Sequence, residues 1–205
     1  RSTFDVTAAF MISGIVPAAG LSTRMGEPKA LLDWGGEPLL SYQVHQLKEA
    51  GCDEVIVVVG HRSDEIQRAI RRLPCRIMLN SRFQMGRAWS LRLGARAVSR
   101  DAEAIVVLNV DQPRPAALIR RLLDEHRQEF AATRPEHDGH GGHPVVISGW
   151  LRDEMLVATD EDEGLRGILR RHANKIHGVA AGADSLVDIN TPEDYREALA
   201  HSRTG

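Results

Sequence analysis

Hydrophobic positions along the chain fall into two alternating patterns. Ile12–Val16 is a short apolar run that leads into Pro17-Ala18-Ala19-Gly20. Leu39–Ala50 carries Leu40, Val44 and Leu47 at helical spacing, with Gly51 as a stop. Glu54–Val59 is apolar without alternation, the pattern of a strand buried on both faces. Ser63 is a candidate cap for a helix over Asp64–Arg72 that turns Ile66, Ala69 and Ile70 inward. Cys75–Leu79 predicts a third strand, Ala88–Val98 a helix, and Ala104–Val110 the most apolar strand. Pro113 and Pro115 open a helix expected to reach about Phe130.

After Phe130 the pattern breaks. Residues 131–143 hold Pro135 and a His/Gly-rich stretch, which predicts a loop. Val145–Ile147 predicts a short strand, and helices follow near Trp150–Val157 and Leu165–His172. Strands are expected near Lys175–Val179 and Ser185–Ile189. Thr191-Pro192-Glu193-Asp194 then starts a last helix: a hydroxyl cap, a proline in the first turn, and an acid three residues on.

Strands that alternate with helices and are apolar throughout predict an α/β fold with a parallel sheet covered on both faces. The stretch 131–183 reads as a small insertion in the same domain. Residues 11–205 are expected to form that domain, with Met11 as the natural start and residues 1–10 as a cloning remnant or a disordered lead. Ligands of such sheets sit beyond the carboxyl ends of the strands. That places the interest on Ala18–Lys29, Gly60-His61, Asn80, Asp111 and Asp188.

Composition narrows the class. Lys+Arg is 26 against Asp+Glu 28, a formal charge of −2 with no basic block, which argues against an extended nucleic-acid surface. Cys52 and Cys75 form neither a metal set nor a disulfide framework, as expected of a cytoplasmic protein. No apolar run approaches the roughly 18 residues of a bilayer span.

The loop after the first strand carries the clearest chemistry. Small residues at Ala18, Ala19 and Gly20 let backbone amides close around phosphate oxygens. Arg24 adds a planar fork of donors and Lys29 a point charge. The loop lacks the G-x-G-x-x-G spacing of dinucleotide folds, and no acid follows Val59 to hold a ribose. It also lacks G-x-x-x-x-G-K-[ST]. Asp111, just beyond the most apolar strand, offers a carboxylate where phosphoryl chemistry needs a hard cation; helix capping before Pro113 is its bland alternative. His137, His140 and His143 invite a zinc reading, but no cysteine lies near and glycine-rich loops set poor geometry. The acidic run Asp160–Glu163 reads as a solvated loop or a mobile flap. Trp34, Trp89 and Trp150 read as packing residues, with Trp89, at the start of the helix over Ala88–Val98, the candidate stacking platform.

Ala18-Ala19-Gly20-x-Ser22-x-Arg24-Met25-Gly26-x-Pro28-Lys29 resembles the signature of the MobA-like nucleotidyltransferases, and within them the molybdenum cofactor cytidylyltransferases. The resemblance continues through Gly35-Gly36-Glu37-Pro38-Leu39-Leu40, Met85-Gly86 with Ser90-Leu91-Arg92-x-Gly94, Asp111-Gln112-Pro113, Gly142-His143-Pro144-Val145, Gly164-x-Arg166, and Asp188-Ile189-Asn190-Thr191-Pro192-Glu193-Asp194. It implies a three-layer α/β/α, Rossmann-like, mostly parallel nucleotidyltransferase sheet. It implies transfer of CMP from CTP to molybdopterin with release of pyrophosphate. Ala18, Ala19, Gly20, Leu21, Ser22, Arg24, Lys29, Asn80, Ser90 and Asp111 would face the nucleotide. Arg24, Lys29 and Asp111 would act in catalysis, and Asp111 with Asp188 would hold magnesium, or manganese in its place. His143 and Arg166 would meet the acceptor, and a molybdoenzyme or its chaperone would receive the product. Asn190 stands where the family has aspartate, and Leu165 where it usually has alanine. Two alternatives stay open: a cytidylyltransferase acting on an isoprenoid-precursor, sugar or choline phosphate, and a non-catalytic nucleotide-binding accessory protein.

Overall fold

The computed structural model describes residues 10–202; the expectation for the first ten residues therefore lies, apart from Phe10, outside the described residues. The elements in chain order are β1 (Ile12–Ala18), β2 (Asp33–Trp34), β3 (Glu37–Pro38), α1 (Leu39–Glu49), β4 (Glu54–Val59), α2 (Ser63–Ile70), β5 (Arg76–Leu79), α3 (Arg87–Ala97), β6 (Ala104–Val107), α4 (Ala116–Glu125), β7 (Ala132–His137), β8 (His140–Gly141), β9 (Val145–Ser148), α5 (Arg152–Leu156), α6 (Leu165–Arg171), β10 (Ile176–Ala180) and α7 (Pro192–Ser202).

The main sheet runs in the order β10-β7-β9-β6-β1-β4-β5, with β8 attached to β7. Neighbours are parallel except β9, which is antiparallel to both β6 and β7, and β8, which is antiparallel to β7. Alternate residues of the central strands feed two separate cores. Val55, Val57 and Val59 face α1, α2 and α4 through Leu40, Leu47, Ile66 and Ile119. Ile56, Val58, Ile105 and Val107 face α3, α5 and α6 through Leu91, Met155 and Ile168. The unbroken apolar run of β4 is thus the signature of a middle layer. Each such Val or Ile contributes roughly 1.5–3 kcal/mol on burial.

The structure corrects four expectations. The stretch 131–143 is not a loop: it forms β7 and the β7–β8 hairpin. Pro135 hides the strand in the sequence, because proline cannot donate to a ladder, but its carbonyl still accepts from Gly142 N at 2.8 Å. Ser185–Ile189 is not a strand either. Ala183–Leu186 is a single helical turn, and the chain then crosses the sheet mouth, where Ile189 N donates to Asp111 O at 2.8 Å.

The helix expected to reach Phe130 stops at Glu125. His126 is buried there, with Nδ1 2.9 Å from Thr133 Oγ1 and Nε2 3.0 Å from Ser148 Oγ, so it pins α4 to β7 and β9. Ser63 does not cap α2: Arg62, in the left-handed region at φ 51°, precedes the helix and no side chain caps it.

Candidate nucleotide and metal site

Strand β1 delivers the loop Ala19–Pro28 to the open end of the sheet. Its start packs tightly against the end of β4: a Cβ on Gly60 would lie 2.7 Å from Phe83 Cβ and 2.8 Å from Ala19 Cβ. The loop turns at Ser22, whose φ of 52° lies in the left-handed region. Ser22 Oγ accepts a hydrogen bond from Lys29 N at 3.1 Å, so this hydroxyl closes the loop on itself. The amides of Gly20, Leu21, Ser22 and Thr23 donate to no protein acceptor among the described residues. Successive free N–H groups in a turn are what an anion-binding concavity is built from.

Three distant segments converge beneath this loop. Lys29 Nζ donates to Asp111 Oδ2 at 2.9 Å and to Asn190 Oδ1 at 3.1 Å. Arg24 Nη2 reaches the same Asn190 oxygen at 3.2 Å. Asp188 is held separately, its Oδ1 accepting from Gln112 Nε2 at 2.6 Å. Gln112 Oε1 accepts in turn from Asn109 Nδ2 at 2.9 Å. Gln43, fully buried on α1, donates to the carbonyls of Asn109 and Val110 and fixes the turn that presents Asp111. The ladder of β6 ends at Val107, short of the expected Val110, yet Leu108 N and Val110 N still bond to β1 at Ile15 O and Pro17 O. Asp111 therefore stands on a rigid extension.

A cleft of about 1210 Å³ connects these groups to the β7 side of the sheet. That exceeds the roughly 300–1,000 Å³ of an ordinary small-molecule pocket and leaves room for two substrates. Ala18, Ala19, Gly20, Leu21, Ser22, Arg24, Lys29, Ser90, Asp111, Asp188, His143 and Arg166 all line it. Asn80 does not: it is fully buried behind Ser90, donating to Ser90 Oγ at 3.0 Å and accepting from Arg82 N at 2.9 Å. Trp89 is also outside the lining; Arg82 and Arg92 stack on its ring at 5.1 and 4.4 Å.

Two residues that organise the cleft escaped the sequence reading. Arg114, only 2% exposed, donates to the carbonyls of Pro113, His143, Ser185 and Val187. Burial pushes its guanidinium down to about 10, against the opposing pull of Asp188, Asp184 and Asp111, so it stays charged at neutral pH. Its position between two prolines was the only clue. Asp160 is the second. Its carboxylate accepts from Arg87 N at 2.9 Å and Ala88 N at 3.2 Å, capping α3 rather than lying free in solvent. A Cβ on Gly86 would overlap that carboxylate.

His143 precedes Pro144 through a cis peptide bond. Its Nδ1 is buried without a partner, and burial holds its imidazole below the usual histidine range. His137 and His140 lie apart from this, with Nδ1 atoms against the carbonyls of Ala181 and Asp138.

The chain is similar to several known proteins. The chain is 36% identical over 194 residues to the molybdenum cofactor guanylyltransferase of Xanthomonas euvesicatoria, covering 91% of this chain and 94% of the relative. It is 30% identical over 202 residues to the nicotine blue oxidoreductase of Paenarthrobacter nicotinovorans, covering 92% and 96%. It is 26% identical over 185 residues to the molybdenum cofactor cytidylyltransferase of Escherichia coli, covering 90% and 93%. A nucleotidyl transferase structure from Methanothermobacter superposes with a TM-score of 0.81 at 28% identity, covering 95% of this chain and 99% of that one. Residues 14–176 match the MobA-like NTP transferase domain, and the chain belongs to that nucleotidyltransferase family.

Proposed function

We propose that the protein transfers CMP from CTP to a phosphorylated acceptor, a molybdopterin-type pterin phosphate, and releases pyrophosphate. The observation that carries this reading is the row of unused amides at Gly20–Thr23 beside Arg24, Lys29 and the Asp111 carboxylate. An NTP needs that combination: donors for phosphate oxygens, fixed cations, and a carboxylate for a hard metal ion.

The donor set fits magnesium, with manganese as a substitute. Asp111 and Asp188 offer carboxylate oxygens, and among the described residues no third His, Cys, Asp or Glu joins them into a closed cage. Magnesium is usually held this way, with one or two carboxylates while substrate phosphates and water complete its shell. When bound, it neutralises charge on the triphosphate and on the departing pyrophosphate.

The chain's own residues position and neutralise. The loop amides and Arg24 hold the triphosphate. Lys29 exchanges Asp111 for a phosphate oxygen as nucleotide arrives. Gln112 keeps Asp188 oriented. A phosphate oxygen of the acceptor forms a bond to the α-phosphorus as the bond to the bridging oxygen breaks, and pyrophosphate takes the electron pair. CTP is favoured by the Ala18-Ala19-Gly20 form of the loop.

The test is pyrophosphate release with each of CTP, GTP, ATP and UTP in the presence of molybdopterin. CTP is expected to exceed GTP in kcat/KM by at least ~10-fold. Faster turnover of GTP reassigns the donor base.

A further inference from the structure

The end of the cleft away from Lys29 is built differently. Arg134 lies on β7, two residues beyond the fully buried Ala132, and so on the sheet face covered by α3, α5 and α6. Its guanidinium rests on the backbone of Gly141 in β8: a Cβ there would lie 2.1 Å from Nε and 2.2 Å from Cζ. Arg134 Nε is buried and has no hydrogen-bond partner. Among the described residues no carboxylate comes within ion-pair range of it.

Other arginines near the cleft are held differently. Arg170 is paired with Glu163, and Arg114 is saturated by four carbonyls. Arg134 is half-buried: its Nε has lost water without gaining a partner, and the carboxylate of Glu136, two residues along the same face, lies over Gly178 and not in ion-pair range of it, which leaves the guanidinium able to take an anion. A phosphate binds through the planar fork of the guanidinium. Leu165, Leu169 and Ile176 line the cleft with it and form an apolar wall. Arg166, also without an ion-pair partner among the described residues, lines the same cleft.

We propose that Arg134, seated on Gly141, binds the phosphate of the acceptor, and that Leu165, Leu169 and Ile176 receive the apolar body attached to that phosphate. The acceptor class is a dianionic phosphomonoester on a planar or apolar group. This rests on the nucleotidyl-transfer reading and deepens it. The dianion attacks the α-phosphorus directly, so no proton has to be removed, and Arg134 offsets its repulsion from the triphosphate.

Phenyl phosphate, a planar phosphomonoester, is the probe. Its Kd is measured by calorimetry on the full chain, alongside that of a non-hydrolysable CTP analogue. Arg134→Ala is expected to weaken phenyl phosphate by about 10–100-fold and to change the CTP analogue by less than about 2-fold. Arg134→Lys recovers part of the loss, because charge returns without the fork. Gly141→Ala, which displaces the guanidinium while leaving its charge, weakens phenyl phosphate in the same direction. If Arg134→Ala does not fold, Arg134→Lys and Arg134→Gln carry the measurement.

Equal phenyl phosphate affinity in wild type and variants overturns the site, as does failure of wild type to bind it at tens of millimolar, far weaker than a charge-assisted site allows. Equal loss of both ligands overturns it too. Arg134-dependent binding without turnover of any NTP keeps the site and removes the transferase reading. Turnover that does not depend on Arg134 does the reverse.

Discussion

The two ends of the cleft satisfy their charges in opposite ways. Beneath the β1 loop the charges already have partners, Lys29 with Asp111 and Asn190 and Asp188 with Gln112, while the buried Gln43 behind them donates to the backbone and leaves only its Oε1 without a partner. At the β7 end the Arg134 guanidinium has no ion-pair partner among the described residues, and its buried Nε has no hydrogen-bond partner. The first end is a network waiting for one partner to be exchanged. The second is a surface waiting for a missing one. On the reading proposed above, the first end neutralises a triphosphate and gains from preorganisation, and the second takes up the charge of the acceptor.

The largest expected effect falls on the networked end. Asp111→Asn keeps the shape and the contact with Lys29 but removes the carboxylate charge, so kcat for pyrophosphate release should fall on the order of 10³-fold. Nucleotide affinity in the absence of divalent ion should change little. Activity near wild type would show that this end is scaffold and would erase the contrast.

Next comes the arginine that joins the two ends. Arg114→Met leaves the carbonyls of Pro113, His143, Ser185 and Val187 without their donor. A loss of about 3–5 kcal/mol is expected in urea unfolding. Arg114→Lys should recover only part of it, since one ammonium cannot span four carbonyls.

Acid should loosen the β7 end first. Ser148 Oγ donates to Phe130 O, so it accepts from His126 Nε2, and Nδ1 is left to accept from Thr133. Burial lowers the His126 imidazole to about 4. The unfolded chain takes up a proton near pH 6.5 while the folded one resists until about 4. This contribution is therefore intact above pH 6.5 and lost as pH falls towards 4, up to a few kcal/mol. Hydrogen exchange across that window should open β7 and β9 before β1 and β4, and His126→Gln should flatten the trend.

The smallest effect tests the rim between the ends. Gly86→Ala strains a φ of +120° and pushes against the Asp160 carboxylate. About 1–2 kcal/mol of stability should be lost, read as a lower thermal midpoint. Asp160→Asn should weaken the cap on α3 without the strain.

Legibility followed the same division. β1, β4 and their helices were visible because each buries one continuous apolar run, and the loop 18–29 because its small residues and bases sit together. Asp111 and Asp188 were visible as acids just past apolar segments. The β7 end was not, because Pro135 broke the strand pattern while the sheet accommodated it through its carbonyl. Arg134 gave no signal, since its meaning lies in contact with Gly141 and in the lack of an ion-pair partner. Arg114 reads as one more surface base until the fold folds three segments around it. Asp160 looked like part of a solvated run until α3 placed two free amides beside it.

The four-carbonyl grip of Arg114 also sets a rule for engineering. It ties the turn after β6, the approach to β9 and the crossing before α7 into one length-matched assembly. Grafting any one of these segments from a relative will misalign the other two. A swap of any of them is expected to keep the fold only when all three travel together, with the arginine that gauges them.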